Sequence, residues 1–223
     1  VSRRLEFGMM ATDHATPTGD SVDTYLDALA SAAPTPGGGS ASALVGALAA
    51  ALVAMVARLT AGRPAFAAVD GDARRIIDAA DAARDALSRA MAADEAAFQA
   101  VMAAYRLPRA GDDAREARRD AIAEASRLAT APPLTTARVA RGVLDLALEV
   151  AQIGNPTVTS DAAVAGWAAH AAIRASAVNV RVNLIAARDD VFAAACETEL
   201  AALIDDAQTM AEATEKAAQR PLK

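Results

Sequence analysis

This chain predicts an all-α fold, an up-and-down-type helical bundle of long alanine-rich helices, and three observations predict it. Alanine supplies more than a quarter of the 223 residues, and aromatics only 3%. No stretch alternates apolar and polar residues with the two-residue period of a strand. Alanine has the highest helix propensity, and its small side chain lets neighbouring backbones approach closely. A length of 223 residues is enough for one domain with a well-developed core.

The elements follow in order. The opening VSRRLEFGMMATDHATPTGD lacks the apolar stretch of a secretory signal, so residues 1–20 are expected to be a disordered leader or a cloning remnant. The helical domain is expected over residues 21–220. Asp20 or Ser21 is placed to cap a short helix, VDTYLDALASAA, that stops before Pro34. The run APTPGGGSASALVGALAAAL comes next, from Ala33 to Leu52. Glycine costs about 1 kcal/mol in a helix relative to alanine, so Gly37, Gly38 and Gly39 are expected in a loop. Ser40, or less favourably Gly39, then caps a helix reaching about Thr60. Such a loop takes unusual dihedrals or lets something approach closely, and it is either a tight turn or an anion site built from free backbone N–H groups. Ser42, Gly46, Ala50 and Ala54 recur every four residues and draw a smooth ridge for close helix contact. The run is apolar enough to raise a membrane span, but alanine and glycine give little drive for insertion and Arg58 ends it. A buried central helix is the expectation.

Gly62 and Pro64 break the chain. A long helix is expected from about Asp70 to Tyr105, and a charged one from within RAGDDAREARRD to Ala129. Pro132 and Pro133 end that helix, and Pro133 suits the first turn of the next, LTTARVARGVLDLALEVAQI. GNPTVTSD forms a second loop. One helix over about 160–187 and a final one over about 189–218 complete the bundle.

The long helix carries an anomaly. Ala80, Leu87, Asp94 and Val101 are seven residues apart and share a stripe, with Met91, Phe98 and Tyr105 alongside. Asp94 therefore projects where an apolar side chain is expected. A carboxylate there is costly to bury unless it is paired or has a task. Structural pairing and function are both open readings, and burial should raise its pKa. Asp161 shares a weaker stripe with Ala168, Ala175 and Val182, and its place beside Ser160 also suits a helix cap. Arg174, Arg181 and Arg188 form a seven-spaced row that reads as a solvated face, with Asn179 and Asn183 making a polar cluster beside Arg181.

Other chemistries are poorly supported. A net charge of −6 argues against a nucleic-acid surface. The single cysteine, Cys196, sits in an apolar helical setting, reads as buried, and fits a reducing, cytoplasmic compartment. His14 and His170 are far apart, and no Cys/His cluster has metal-ligand spacing. His170 reads as a helix-surface or interface residue and Trp167 as core or interface. No phosphate loop, dinucleotide fingerprint or nucleophile elbow occurs.

Three ordered motifs carry a resemblance over roughly Ser21 to Ala218. They are YLDALASAAPTPGGGSASALVGALAAALVAMVARLTAG, DEAAFQAVMAAYRLPR, and GNPTVTSDAAVAG with NVRVNL. Together they resemble the formiminotransferase-cyclodeaminase C-terminal domain family, which includes stand-alone methenyltetrahydrofolate cyclohydrolases. The resemblance implies a helical bundle forming a homodimer or higher even oligomer, with a tetrahydrofolate one-carbon derivative as substrate. No tightly bound cofactor is expected, and the spacing, charge and composition above argue against a metal, a nucleic-acid partner and a membrane partner. The resemblance makes Asp94 the acid/base. The Gly37–Gly38–Gly39–Ser40 loop is expected on the substrate side, its backbone N–H groups facing the folate, with Arg63, Asp161 and Asn183 as further contacts. The chain departs from the family pattern at Ala92, where a second acid is common, and at LTAGRPAF. There Arg63 keeps a cation, Pro64 stiffens the loop and Phe66 lacks a Tyr hydroxyl. Two activities share such a scaffold: cyclohydrolase, giving 10-formyl-tetrahydrofolate, and cyclodeaminase, releasing ammonia from the 5-formimino form. With no formiminotransferase segment within these residues, the expectation tilts to the cyclohydrolase. A folate binder without catalysis is the third alternative.

Overall fold

The computed structural model of the chain describes residues 19–219, so the expectation for the leader lies almost wholly outside the described residues. The all-α expectation holds. The helices are α1 (Gly19–Ala30), α2 (Gly38–Arg58), α3 (Asp70–Tyr105), α4 (Asp112–Leu128), α5 (Ala131–Ile153), α6 (Thr159–Ala187), α7 (Asp190–Ile204) and α8 (Ala207–Ala218). A 3₁₀ segment, Pro64–Val69, precedes α3, and no strand occurs among the described residues. Helix α1 begins at Gly19, so Asp20 and Ser21 lie within it rather than capping it. It belongs to a compact unit ending at Pro36, and a second unit begins at Gly37.

The second unit is built on α2, α3, α5 and α6, which pack against one another around Val53, Val56, Ile76, Leu87, Leu144 and Ile173, all fully buried. Among the described residues α2 alone is long and apolar enough to cross a membrane, yet most of it is buried inside the bundle. The small-residue ridge explains how. A methyl placed on Gly46 would stand 3.2 Å from Leu87 and 3.5 Å from Ala172, so the backbone of α2 lies directly against side chains of α3 and α6. Gly38 faces Asn179, eight residues before that contact on α2 and seven after it on α6. Helix α2 is thus antiparallel to α6, and by the pairing of Gly39 with Asp94 and Gly46 with Leu87 it is antiparallel to α3 as well.

The expected final helix is two. It breaks at Asp205–Asp206, where Asp206 accepts from Arg141 of α5 at 3.0 and 3.2 Å. The break lets the two pieces bury different faces. Cys196 and Leu200 of α7 join a small cluster with Leu134, Ala137, Val180 and Leu184. Ala207, Ala211 and Thr214 of α8 pack on α5 and α6. Cys196 is a buried thiol, and burial pushes its pKa up.

The second loop is anchored to the end of α2. Thr60 Oγ1 donates to the Val56 carbonyl at 2.8 Å and accepts from the Asn155 N–H at 2.9 Å. The Asn155 side chain in turn accepts from Thr157 N–H and Oγ1 at 3.1 and 2.9 Å, closing the turn before α6. Replacing Thr60 by Val keeps the shape and leaves the buried Asn155 amide without its acceptor. Thr60→Val is expected to lower stability by about 1–3 kcal/mol, the cost of an unsatisfied buried donor, read from urea denaturation.

Candidate functional site

The glycine run is not a loop. Helix α2 begins at Gly38, with Gly37 as an extended N-cap at φ −135°, so Gly38, Gly39 and Ser40 are all helical. The reason is contact rather than torsion. Gly39 is buried against the Asp94 carboxyl, and a methyl on Gly39 would overlap that carboxyl outright. Gly37 offers no side chain to cap the helix, so the first N–H groups of α2 need a partner from elsewhere. The Ser40 N–H donates to Asp94, a residue that reaches it from another helix. Asp94 thus takes the role of an N-cap in trans, and the positive end of the α2 dipole favours its charge.

Burial works the other way and dominates. Asp94 is half-buried among apolar neighbours, which raises its pKa; the Ser40 amide lowers it by less, and neighbouring Glu95 adds to the rise. The upward shift expected from the apolar stripe is present. A carboxyl accepting one backbone N–H keeps further lone pairs for a substrate proton. It can take or give a proton.

Two residues join the site that the sequence reading had not selected. Glu95 accepts from Ser40 Oγ at 3.0 Å, which fixes the first turn of α2 a second time. Asn179 of α6 faces Gly38, its Oδ1 3.6 Å from where a methyl on that glycine would lie. Its Nδ2 donates to the Ala175 carbonyl at 3.0 Å. The polar cluster on α6 had signalled this helix, but Asn183 was chosen from it. Asn183 lies one turn further along and donates to the Ala129 carbonyl at 2.8 Å, bracing α6 against the α4–α5 junction. A cleft of about 360 Å³ opens between α3 and α5, with Ala93 and Pro132 in its walls and Arg89 as its cation; Asp94 does not line it.

Two selected residues stand elsewhere in the chain. Arg63 is exposed beyond the far end of α2, whose 21 residues span about 30 Å. Asp161 lies in the first turn of α6, about 27 Å before Asn179 along that helix. Val158 holds the N-cap position there, so Asp161 is not the cap either. Neither converges with Asp94 within one chain, because both belong to the end of the bundle where α2 finishes and α6 begins.

With this geometry in view, the chain can be set beside known proteins. The profile of the formiminotransferase-cyclodeaminase family matches residues 21–202. The chain is 44% identical over 193 residues to a methenyltetrahydrofolate cyclohydrolase of Methylorubrum extorquens, covering 86% of this chain and 93% of that protein. It is 35% identical over 191 residues to a formimidoyltransferase-cyclodeaminase of Rattus norvegicus, covering 86% of this chain but 35% of that protein. A crystal structure of formiminotetrahydrofolate cyclodeaminase from Thermotoga maritima superimposes with a TM-score of 0.79 at 28% identity, covering 88% of this chain and 94% of that one.

The raised pKa of Asp94 has a consequence for stability. Ionisation is harder in the folded chain than in the unfolded one, so it lowers stability as pH rises from the ordinary value of 3.8 through the raised one. Asp94→Asn removes that term. The variant should match the wild type in urea midpoint below the ordinary value and exceed it near neutral pH. A difference independent of pH would contradict the shift.

Proposed function

The chain belongs to the formiminotransferase-cyclodeaminase family, and we propose that it is a methenyltetrahydrofolate cyclohydrolase, converting 5,10-methenyl-tetrahydrofolate and water to 10-formyl-tetrahydrofolate. The observation that carries this reading is the near full-length match to a stand-alone cyclohydrolase, against about a third of the bifunctional relative. The half-buried acid at the head of α2 supplies the chemistry such a reaction needs.

Ionised Asp94 takes a proton from water as its oxygen bonds to the methenyl carbon. The tetrahedral adduct then collapses: the carbon–N5 bond breaks, the protonated carboxyl returns its proton to N5, and the hydroxyl becomes the formyl carbonyl by losing its proton to solvent. Atoms and charge balance, with one proton released per turnover. A pKa raised by burial suits a group that must both take and give a proton. Gly37, Gly38, Gly39 and Ser40 form the wall that orients this carboxyl, and the N–H groups of Gly38 and Gly39 face the substrate side. Within one chain Arg63 and Asp161 lie at the other end of the bundle. The reading calls for no tightly bound cofactor, and cytoplasm is the compartment we propose on the strength of the single reduced cysteine.

A second reading is the cyclodeaminase, favoured by the folded likeness to a protein of that activity. The same acid would protonate the departing ammonia. Supplying the pure protein with methenyl-tetrahydrofolate and, separately, 5-formimino-tetrahydrofolate separates the two; acceleration of neither leaves a folate binder. Asp94→Asn should lower turnover by about 10²- to 10⁴-fold while folate binding largely survives. Near wild-type turnover in a folded variant would reduce Asp94 to a structural acid.

We also propose that the chain works as a homodimer or a higher even oligomer. Helix α6 leaves Val164, Trp167, Val178 and Val182 exposed along one row, and α2 leaves Leu48 and Met55 exposed. Contiguous apolar rows of this kind mark contact surfaces. Sedimentation at micromolar concentration should give an even multiple of the chain mass, and Val178→Asp with Val182→Asp should give a smaller species.

A further inference from the structure

Gly37, Gly38 and Gly39 lead into α2, so Ser40 is the first residue of that helix with a side chain by which it can be held. The Gly37 carbonyl accepts the Ala41 N–H at 2.9 Å, which makes Gly37 the N-cap and puts Ser40 after the helical pair Gly38 and Gly39. In a capping box, the residue at that position gives its N–H to the cap side chain, and its own side chain reaches back. Gly37 has no side chain, and α3 supplies both partners instead. The Ser40 N–H goes to Asp94, and the Ser40 hydroxyl donates to Glu95 at 3.0 Å. Ser42, the next hydroxyl, turns back on the Gly38 carbonyl at 2.6 Å, a bond within α2 itself.

Consecutive residues leave a helix about 100° apart, so Asp94 and Glu95 hold Ser40 from two directions. Ser40 is fully buried, and Glu95 is part-buried and in no ion pair with a described residue. Few other charges bear on this corner. Helix α2 has no ionisable side chain before Arg58, α6 presents the neutral amide of Asn179, and Arg181 of α6 is paired with Glu197 at 3.0 Å. Glu95 therefore acts on Asp94 in two opposed ways. Its charge disfavours the Asp94 carboxylate, while its hold on Ser40 keeps in place the amide that favours it.

We propose that Glu95 is a positioning residue for the reaction at Asp94, acting through the Ser40 hydroxyl to hold the amide that orients the acid. The proposal rests on the assignment of Asp94 as the proton-transfer group and adds the residue that keeps it aimed. Glu95 itself neither takes nor gives a proton in the reaction.

Two readouts test it. In turnover of methenyl-tetrahydrofolate, Ser40→Ala and Glu95→Ala should each lower kcat about tenfold with KM little changed. The double variant should lose no more than either alone, because both substitutions remove the same bond. Glu95→Gln keeps an acceptor for the hydroxyl and should recover most of the loss. The second readout is the titration of the Asp94 carboxyl by ¹³C NMR, its signal identified by its absence from Asp94→Asn. In Ser40→Ala the loosened amide should move the midpoint up, and in Glu95→Gln the lost charge should move it down. The acid limb of the pH–kcat profile should shift in the same directions. Wild-type kcat in folded Ser40→Ala and Glu95→Ala, losses that multiply in the double variant, or an Asp94 midpoint that neither substitution moves overturns the proposal. The NMR titration needs no substrate. If the wild type turns over neither folate while the midpoints move as stated, the activity reading fails and the hold of Glu95 on Asp94 stands.

Discussion

One contact sets the rest of this molecule: the carboxyl of Asp94 against the first turn of α2. A helix that starts on three glycines has exposed backbone donors and no side chain to satisfy them. Asp94 satisfies the Ser40 amide from another helix, and Glu95 takes the Ser40 hydroxyl. The same arrangement holds a carboxyl in an apolar environment without an ion pair. Fold and chemistry are therefore not separate uses of this corner. The donor that fixes the acid is a backbone group that cannot titrate, so proton transfer leaves the frame intact.

The packing around that contact depends on the absence of side chains. At Gly39 and Gly46 the α2 backbone stands directly against α3, which alanine at either position would prevent or strain. Elsewhere alanine serves, and most of the buried residues of α2 are alanine or smaller. Such a core gains little hydrophobic area per residue, but ordering alanine costs no side-chain entropy, and the helices supply their own hydrogen bonds.

Much of this was legible in the sequence. The stripe of Ala80, Leu87 and Val101 exposed Asp94 as an outlier, and breakers marked most helix ends. The glycines were misread because sequence reasoning weighs glycine by its torsional freedom. Here the missing Cβ matters instead: the close approach that glycine allows was a reading open from the sequence, but that a carboxyl from a distant segment makes it was not. The Asp205–Asp206 break was hidden because AALIDDAQTM keeps good helix formers on both sides; the division comes from two faces needing different neighbours. Arg63 came from the LTAGRPAF motif and Asp161 from a weak seven-residue stripe. Simple helix arithmetic places them at the other end of the bundle within one chain, since α2 alone separates Arg63 from Asp94 by its full length. Asn179 was within reach, because the cluster around Arg181 pointed to it, but nothing in the sequence says which of two asparagines on one face meets α2.

The two glycine contacts also act as a gauge of helix register. Gly39 meets Asp94 and Gly46 meets Leu87, and both pairs of positions are seven residues apart, counted in opposite directions. An insertion or deletion between them in one helix alone would rotate and shift one contact while the other held. Two full turns of α2 and of α3 are thereby bound to a common length. Loops such as the 3₁₀ segment at Pro64–Val69 carry no such restraint. Natural length variation in this chain should therefore collect in its connections, and the distance from acid to amide should be the dimension that changes least.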